Sequence, residues 1–211
     1  MTGVQTCALP ICFPVTIAGG MLIGQNEGGA YIGRVGVREN SWQVLSGTEG
    51  VNWVQRATSQ YWYSIAMSSD GRIQTAVVAS GNIWTSYDYG VTWIQRATSQ
   101  IWFDIAMSSD GRIQTAVVYS GNIWTSYDYG VTWTSRATSQ QWYGIAMSSD
   151  GRIQTAVVYN GNIWTSYDYG VTWTSRAGIT AWQSIAMSSD GRIQTVVVPG
   201  GSNIWTSHDL S

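Results

Sequence analysis

The sequence contains no lysine, and only 10% of its 211 residues are charged. Its 10 cationic side chains are therefore all arginine, and the formal net charge is −2. A nucleic-acid-binding surface needs many clustered basic side chains, so this composition argues against a nucleic-acid partner. No apolar run approaches the roughly 20 residues that a membrane-spanning helix requires, so membrane insertion is not expected either.

Cysteine is confined to Cys7 and Cys12, within the first stretch MTGVQTCALPIC. Residues 2–11 resemble the translated read-through of a common short-read sequencing adapter, with Met1 as its start codon. We therefore exclude residues 1–12 from fold reasoning and expect the native upstream sequence to be missing. The rest of the chain lacks cysteine, so the redox compartment is not readable. Low charge and abundant Thr, Ser, Asn and Trp favour an extracellular or cell-surface location.

Residues that hold metals and cofactors are also scarce. His208 is the only histidine, and a single histidine does not make a metal site without further ligands. The recurring SSDG segment has one Asp per turn, too few carboxylates for a calcium loop. No glycine pattern that would cradle a phosphate is present. We therefore expect neither a metal nor a cofactor.

A 40-residue repeat occupies most of the chain. SIAMSSDGRIQTAVV at 64–78 returns almost unchanged at 104–118, 144–158 and 184–198. A period near 40 with several short strands per unit is typical of a propeller or a solenoid. No helical periodicity appears, and SSDG, Gly-Asn and YDYG turns separate the predicted strands. In the first repeat the strands are predicted at 64–68, 73–78, 83–86 and 91–97.

Four antiparallel strands per repeat predict an all-β fold, a β-propeller of four-stranded antiparallel blades. The strands are apolar on both faces, which favours stacked blades, although a solenoid remains an alternative. We expect a single domain over 13–211, with a degenerate first blade at 13–57 and four repeats at 58–211. The predicted propeller has about five blades. It is either a ring closed by its N-terminal part or an incomplete, open ring.

The segment SYDYGVTW occurs three times, starting at Ser86, Ser126 and Ser166. It matches Ser-x-Asp-x-Gly-x-Thr-Trp and so resembles the Asp-box, or bacterial neuraminidase, repeat over residues 46–211. The resemblance implies a hairpin between the third and fourth strands of each blade. The Asp is suited to accept from the amides of its turn, the Gly to adopt positive φ, and the Trp to pack across the hairpin. The predicted structural residues are Ser86, Asp88, Gly90, Trp93, Ser126, Asp128, Gly130, Trp133, Ser166, Asp168, Gly170, Trp173, Ser207 and Asp209.

The same resemblance raises the possibility of a sialidase. It implies three convergent arginines, a Tyr–Glu pair and an acidic Asp, contributed by different blades. Here most arginines sit at two repeating positions, and all three glutamates, Glu27, Glu39 and Glu49, precede the regular repeats. Asp104 is the only carboxylate that breaks the repeat, and a glycosidase needs a pair. We therefore expect no catalysis, with a sialidase-like hydrolase, or a fragment of one, as the alternative.

Variation between repeats is concentrated in two loops. The segment before the first strand reads SQYWYS, SQIWFD, SQQWYG or ITAWQS, and the loop after the second strand reads ASGN, YSGN, YNGN or PGGSN. In an up-and-down blade these two loops share one face, here called the variable face. The turns SSDGR and SYDYG share the opposite, constant face. The candidate ligand-binding residues on the variable face are Trp62, Trp102, Trp142, Trp182, Tyr63, Phe103, Asp104, Tyr143, Tyr119 and Tyr159.

Aromatic rings among amides and hydroxyls suit flat, uncharged ligands such as sugars. The sequence thus favours a non-catalytic binding or adhesion module, with repeated sites for a glycan or another polymer surface that gain strength through multivalency. In the competing interpretation, the Trp residues fill gaps between blades and the exposed loops vary freely. A third functional alternative is a protein-interaction scaffold that resembles the Asp-box assembly factors of photosynthetic membranes. The oligomeric state is not readable from the sequence.

Overall fold

The computed structural model describes residues 16–18, 21–26, 29–34, 53–176, 178, 180–200 and 203–208. The adapter-like segment, with Cys7 and Cys12, lies outside these residues, as does Asp209. Every regular element in the described ranges is a β-strand, and none of them contains a helix long and apolar enough to cross a membrane. The chain divides into two compact units, Met1–Gln55 and Arg56–Ser211.

Unit 1 contains a three-stranded antiparallel sheet in the order β1-β2-β3. Its register places Ile17 opposite Leu22 in the first pair and Ile23 opposite Ile32 in the second. The expectation that residues 13–57 form a first blade of the same propeller stays a prediction. The strands are β1 (Thr16–Ala18), β2 (Met21–Asn26) and β3 (Gly29–Arg34).

Unit 2 contains four consecutive blades, one for each repeat. Blade 1 comprises β4 (Trp62–Met67), β5 (Gln74–Val78), β6 (Gly81–Ser86) and β7 (Ile94–Gln100). Blade 2 comprises β8 (Trp102–Met107), β9 (Gln114–Gly121), β10 (Ile123–Ser126) and β11 (Thr134–Ser135). Blade 3 comprises β12 (Gln140–Met147), β13 (Gln154–Gly161), β14 (Ile163–Ser166) and β15 (Thr174–Ser175). Blade 4 comprises β17 (Ser184–Met187), β18 (Ile193–Val197) and β19 (Ile204–His208), and the linker strand β16 (Thr180–Ala181) precedes it.

Within each blade the strands pair antiparallel in chain order. The segment that leaves one blade pairs back on the hairpin of that blade before it enters the next, as Gln140 does with Gly121. The prediction of an all-β propeller with four-stranded antiparallel blades is confirmed. In the described residues β4 and β19 are not paired with each other, so the blades of unit 2 form an open arc.

The hydrophobic core lies between the blades. Val77 and Ile83 of blade 1 pack against Trp102 and Ile105 of blade 2, and all four are buried. The next two junctions repeat this arrangement 40 and 80 positions later. In the middle of the arc, β9 and β13 therefore bury both of their faces over Gln114–Val118 and Gln154–Val158, as the apolar alternation predicts.

On the constant face, the SSDGR turns are joined by a chain of backbone hydrogen bonds. The amide of Ser69 donates to the oxygen of Ser109 (2.8 Å), Ser109 donates to Ser149 (2.7 Å), and Ser149 donates to Ser189 (2.7 Å). Gly111 has φ +77°, and a Cβ built on it would lie 2.9 Å from Cδ1 of Ile73 in the preceding blade. These turns are constant because each one forms part of a junction between blades.

Candidate ligand-binding surface

A β-bulge interrupts the first strand of blades 1, 2 and 3 at the same repeat position. In blade 2, Trp102 pairs with Val118 and Asp104 with Val117, so Phe103 is the extra residue. Blades 1 and 3 have the same shift around Tyr63 and Tyr143. A bulge changes the direction of the side chains around it. In blades 2 and 3 it lets the Trp enter the core while the aromatic residue that follows stays partly exposed.

The partly exposed aromatic residues form one continuous cluster, here called the aromatic strip. The rings of Tyr63 and Phe103 are 4.5 Å apart, as are those of Phe103 and Tyr143. Tyr119 lies 5.9 Å from each of Phe103 and Tyr143, and Tyr159 stacks on Tyr143 at 4.8 Å. The strip therefore crosses three blades as a single surface, in place of the separate, repeated sites that the sequence suggests.

The Trp residues before each bulge have a different role. Trp102 and Trp142 are 0% exposed and Trp182 is 4% exposed. Trp102 makes edge contact with Trp124 at 6.1 Å inside the junction between blades. These three side chains are core residues that a ligand does not reach, which corrects the expectation that they contact one. Trp62, in the first blade of the arc, is 38% exposed.

Asp104 connects three blades. Its carboxylate accepts hydrogen bonds from the hydroxyl of Ser64 (2.6 Å) and the amides of Ile105 (2.9 Å) and Ile145 (3.0 Å). Burial raises the pKa of Asp104, and the three hydrogen bonds oppose that effect. Both carboxylate oxygens accept hydrogen bonds from the protein itself. Asp104 therefore links blades 1, 2 and 3, and its carboxylate is not directed at a ligand as an acid or a base would be.

The SYDYGVTW turns are held by their own side chains. Asp88 accepts from the amide and the hydroxyl of Thr92, at 2.8 and 2.6 Å, and from the hydroxyl of Ser86. The hydrogen bonds from Thr92 lower the pKa of Asp88 to about 2. Gly90 has φ +79°, and the indole of Trp93 donates to its oxygen at 2.9 Å. The turns of blades 2 and 3 repeat these contacts, while Ser207 lies in the exposed strand β19.

Two groups of residues that the sequence did not single out complete the constant face. The guanidinium of Arg96 lies 5.8 Å from the ring of Tyr87, whose hydroxyl donates to the backbone of blade 2. The buried amide of Gln154 accepts from the hydroxyl of Thr115 in the preceding blade at 2.8 Å. The only signal in the sequence is that these residues recur together in the first three repeats. It does not say which of them touch.

The constant and variable faces carry different repeated features. On the constant face, the Asp residues of the SSDGR turns accept from their own turns, as Asp110 does from Ser108 and from the amide of Arg112. The variable face carries the aromatic strip, whose rings are partly exposed. Within the described residues, no group of three or more His, Cys, Asp or Glu side chains is placed to hold a metal ion.

No family model matches the sequence, and no curated protein matches it. The fold is similar to that of solved structures at low sequence identity. The computationally designed Ika4 protein is 11% identical, with a TM-score of 0.60 over 72% of this chain and 93% of that one. YCF48 from Cyanidioschyzon merolae is 17% identical, with a TM-score of 0.53 over 75% of this chain and 60% of that one. The GH74 enzyme of Niastella koreensis is 18% identical, with a TM-score of 0.58 over 92% of this chain and 28% of that one. Thus the chain spans less than two thirds of the last two, and the likeness shows the propeller fold alone.

Proposed function

We propose that this chain is a non-catalytic binding module that holds a carbohydrate polymer along the aromatic strip. The observation that carries the proposal is the continuity of the strip, in which Tyr63, Phe103 and Tyr143 follow one another at 4.5 Å across three blades. Tyr rings combine apolar area with a hydroxyl, and a sugar has an apolar face surrounded by hydroxyl groups. A polymer is long enough to contact rings on all three blades.

The arrangement of the carboxylates supports binding over hydrolysis. A glycosidase needs two carboxyl groups on opposite sides of the bond that it cleaves. Asp104, the one carboxylate that breaks the repeat, is occupied by hydrogen bonds from Ser64, Ile105 and Ile145. A GH74 enzyme is among the structural neighbours, but this chain spans only 28% of it. A sialidase-like hydrolase, or part of one, is therefore the less favoured alternative.

A protein-interaction scaffold is the second candidate. Adjacent rings of the strip are tilted by 45° and 37° at 4.5 Å, so they cover part of each other's faces and leave less ring face for a sugar. Ring edges and hydroxyls also suit an extended peptide. Among the structural neighbours is YCF48 bound to D1 peptide, which is 16% identical to this chain.

The test is binding of the full chain to a panel of neutral polysaccharides and to a glycan array. A variant with Phe103→Ala and Tyr143→Ala removes the middle of the strip. Tyr89→Asn is the matched control, because Tyr89 is an exposed ring on the constant face, and Asn tolerates its φ of +60°. We expect the wild type and Tyr89→Asn to bind alike, and the double variant to bind at least roughly tenfold more weakly.

Near-UV circular dichroism and thermal unfolding would show that all three proteins are folded. Absence of binding by the folded wild type, or equal binding by the double variant, would overturn the carbohydrate proposal. If the chain instead selects peptides from a display library and the double variant does not, the scaffold is the correct alternative.

A further inference from the structure

The two ends of the arc carry the two halves of one interface. At each internal junction the upstream blade contributes a Val and an Ile, and the downstream blade contributes a Trp and an Ile, as with Val77, Ile83, Trp102 and Ile105. The corresponding residues of blade 4 are Val197 and Ile204, which are exposed, the latter at 70%. The corresponding residues of blade 1, Trp62 and Ile65, are exposed as well.

On blade 1, the side that corresponds to the junction side of blades 2 and 3 has a cavity of about 300 Å³, whose lining includes Ala57, Trp62, Ile65, Ala76 and Trp93. The residues 40 positions later belong to, or pack against, the buried cluster that contains Val77 and Ile83. The cavity therefore has the lining that accepts a Val and an Ile at the next junction. Val197 and Ile204 on blade 4 are the matching pair of side chains.

The constant face shows the same correspondence. Gly111 and Gly151 each pack on an Ile of the preceding blade, and that Ile is almost fully buried. Gly71 has the same backbone conformation, yet no atom of the described residues lies within 4 Å of a Cβ built on it. At the other end of the arc, Ile193 is 46% exposed, whereas Ile113 is 2% exposed. Ile193 of one chain would thus fit the space beside Gly71 in blade 1 of a second chain.

We propose that a second copy of this chain docks head to tail on the first, with blade 4 of each copy against blade 1 of the other. A second copy is the occupant because each exposed face repeats the composition of a junction that the fold already makes three times. Such a heterologous contact closes into a ring if its rotation allows. Propellers have typically 4–8 blades, and a ring made of two four-bladed arcs would have eight.

Closure also provides the strand that blade 4 lacks in the described residues. Blades 1, 2 and 3 each have a fourth strand beside the third, whereas blade 4 has β17, β18 and β19. Residues 53–57 read WVQRA, and residues 93–97, which lead into and form the start of β7, read WIQRA. Since residues 53–57 precede blade 1, the second copy's segment 53–57 would lie beside β19.

The test is the mass of the full chain in solution, measured by sedimentation velocity over a range of concentrations. Ile65→Asp places a carboxylate in the cavity of blade 1. Ile204→Asp places a carboxylate at the position on blade 4 whose side chain would fill that cavity. Val131→Asp is the control, because Val131 is a similarly exposed apolar residue in a turn of blade 2, away from both ends. We expect a dimer for the wild type and the control, and association at least roughly 100-fold weaker for each of the other two variants.

Mixing the two variants distinguishes this arrangement from other dimers. In a head-to-tail pair, Ile65→Asp and Ile204→Asp together restore one unmodified interface, so the mixture should associate more strongly than either variant alone. Circular dichroism of each variant would show that its fold is retained. A wild type that is monomeric at every concentration, as it would be if residues 1–55 covered these faces, would overturn the proposal. So would growth into open polymers, a dimer indifferent to both substitutions, or a mixture that gains nothing.

Discussion

The phenol hydroxyl of Tyr87 donates a hydrogen bond to the backbone oxygen of Tyr129, 42 positions later, at 3.0 Å. This bond joins the SYDYG turn of blade 1 to that of blade 2, and Tyr127 makes the same bond to Tyr169 in blade 3. Partial burial raises the pKa of both donor phenols. The first Tyr of the motif therefore serves the junction between blades and not the turn in which it lies.

Removing this hydroxyl should weaken one junction without changing the turn. Tyr127→Phe keeps the ring under Arg136 but loses the hydrogen bond to Tyr169. We expect the free energy of unfolding to fall by about 1 kcal/mol, measured by urea denaturation. Tyr89→Phe, on an exposed ring of the same motif, is the control and should change it little. Equal losses in the two variants would contradict the assignment.

The carboxyl group of Asp104 should make stability depend on pH in the direction opposite to that of most carboxylates. Burial raises its pKa above the ordinary value of 3.8, so the folded chain binds this proton more tightly than the unfolded chain does. Its contribution to the free energy of unfolding is complete below pH 3.8 and is lost as the pH rises through the folded pKa. The measurement is urea denaturation at a series of pH values, for the wild type and for Asp104→Ser, which carries the residue of blades 1 and 4.

We expect the stability of the wild type relative to Asp104→Ser to decrease as the pH rises from 3.8. The turn carboxylates, such as Asp88 with its pKa of about 2, titrate in both proteins, so their effect cancels in the difference. A difference that is constant or increases with pH would show that the pKa of Asp104 is not raised.

Gly130 tests how closely the SYDYGVTW turn packs on its neighbours. A Cβ at this position would lie 2.7 Å from Oε1 of Gln114 and 2.9 Å from Oγ1 of Thr85 in the preceding blade. Gly200 has almost the same φ, +80° against +81°, but no atom of the described residues lies within 4 Å of its Cβ position. We expect Gly200→Ala to cost about 1 kcal/mol for the backbone alone. Gly130→Ala should cost about 1–3 kcal/mol more because of the overlap, as measured by thermal or urea unfolding.

Trp142 and Tyr143 are adjacent aromatic residues with opposite expected behaviour. Trp142 is completely buried between blades 2 and 3, so Trp142→Ala should lower the free energy of unfolding by about 3–5 kcal/mol. Tyr143 is only partly buried, and it packs on other rings of the aromatic strip and on the edge of the third junction, so Tyr143→Ala should cost about 1–2 kcal/mol. Both changes in the free energy of unfolding would be measured by urea denaturation. Similar changes in the two variants would contradict the division into core and surface.

The repeat made the blade architecture predictable, because a constant period fixes the strands and turns of every unit together. The number of strands, their antiparallel order and the two faces of unit 2 all follow from it. The sequence could not separate Trp102 from Phe103, since both are aromatic residues at the start of the same strand. The separation depends on the bulge between Trp102 and Asp104, and a bulge leaves no mark in a pattern of apolar residues.

The contacts between blades could not be predicted from the sequence either. Every repeat carries a Tyr, an Arg, a Gln and a Thr at fixed positions, with His208 in place of the last Tyr. Their recurrence does not reveal which one reaches across a junction. The bonds from Thr115 to Gln154 and from Tyr127 to Tyr169 depend on how two blades are stacked. That stacking is a property of the assembled arc and not of one repeat.

The backbone chain from Ser69 through Ser109 and Ser149 to Ser189 links each blade only to its immediate neighbours. The arc therefore behaves as a one-dimensional lattice, in which the stability of a blade depends on how many of its sides are occupied. Blades 2 and 3 have neighbours on both sides, so their amides should exchange with solvent most slowly. In a monomer, blades 1 and 4 should fray first, and the loss of order should progress inward from the ends, whereas the proposed dimer would protect them.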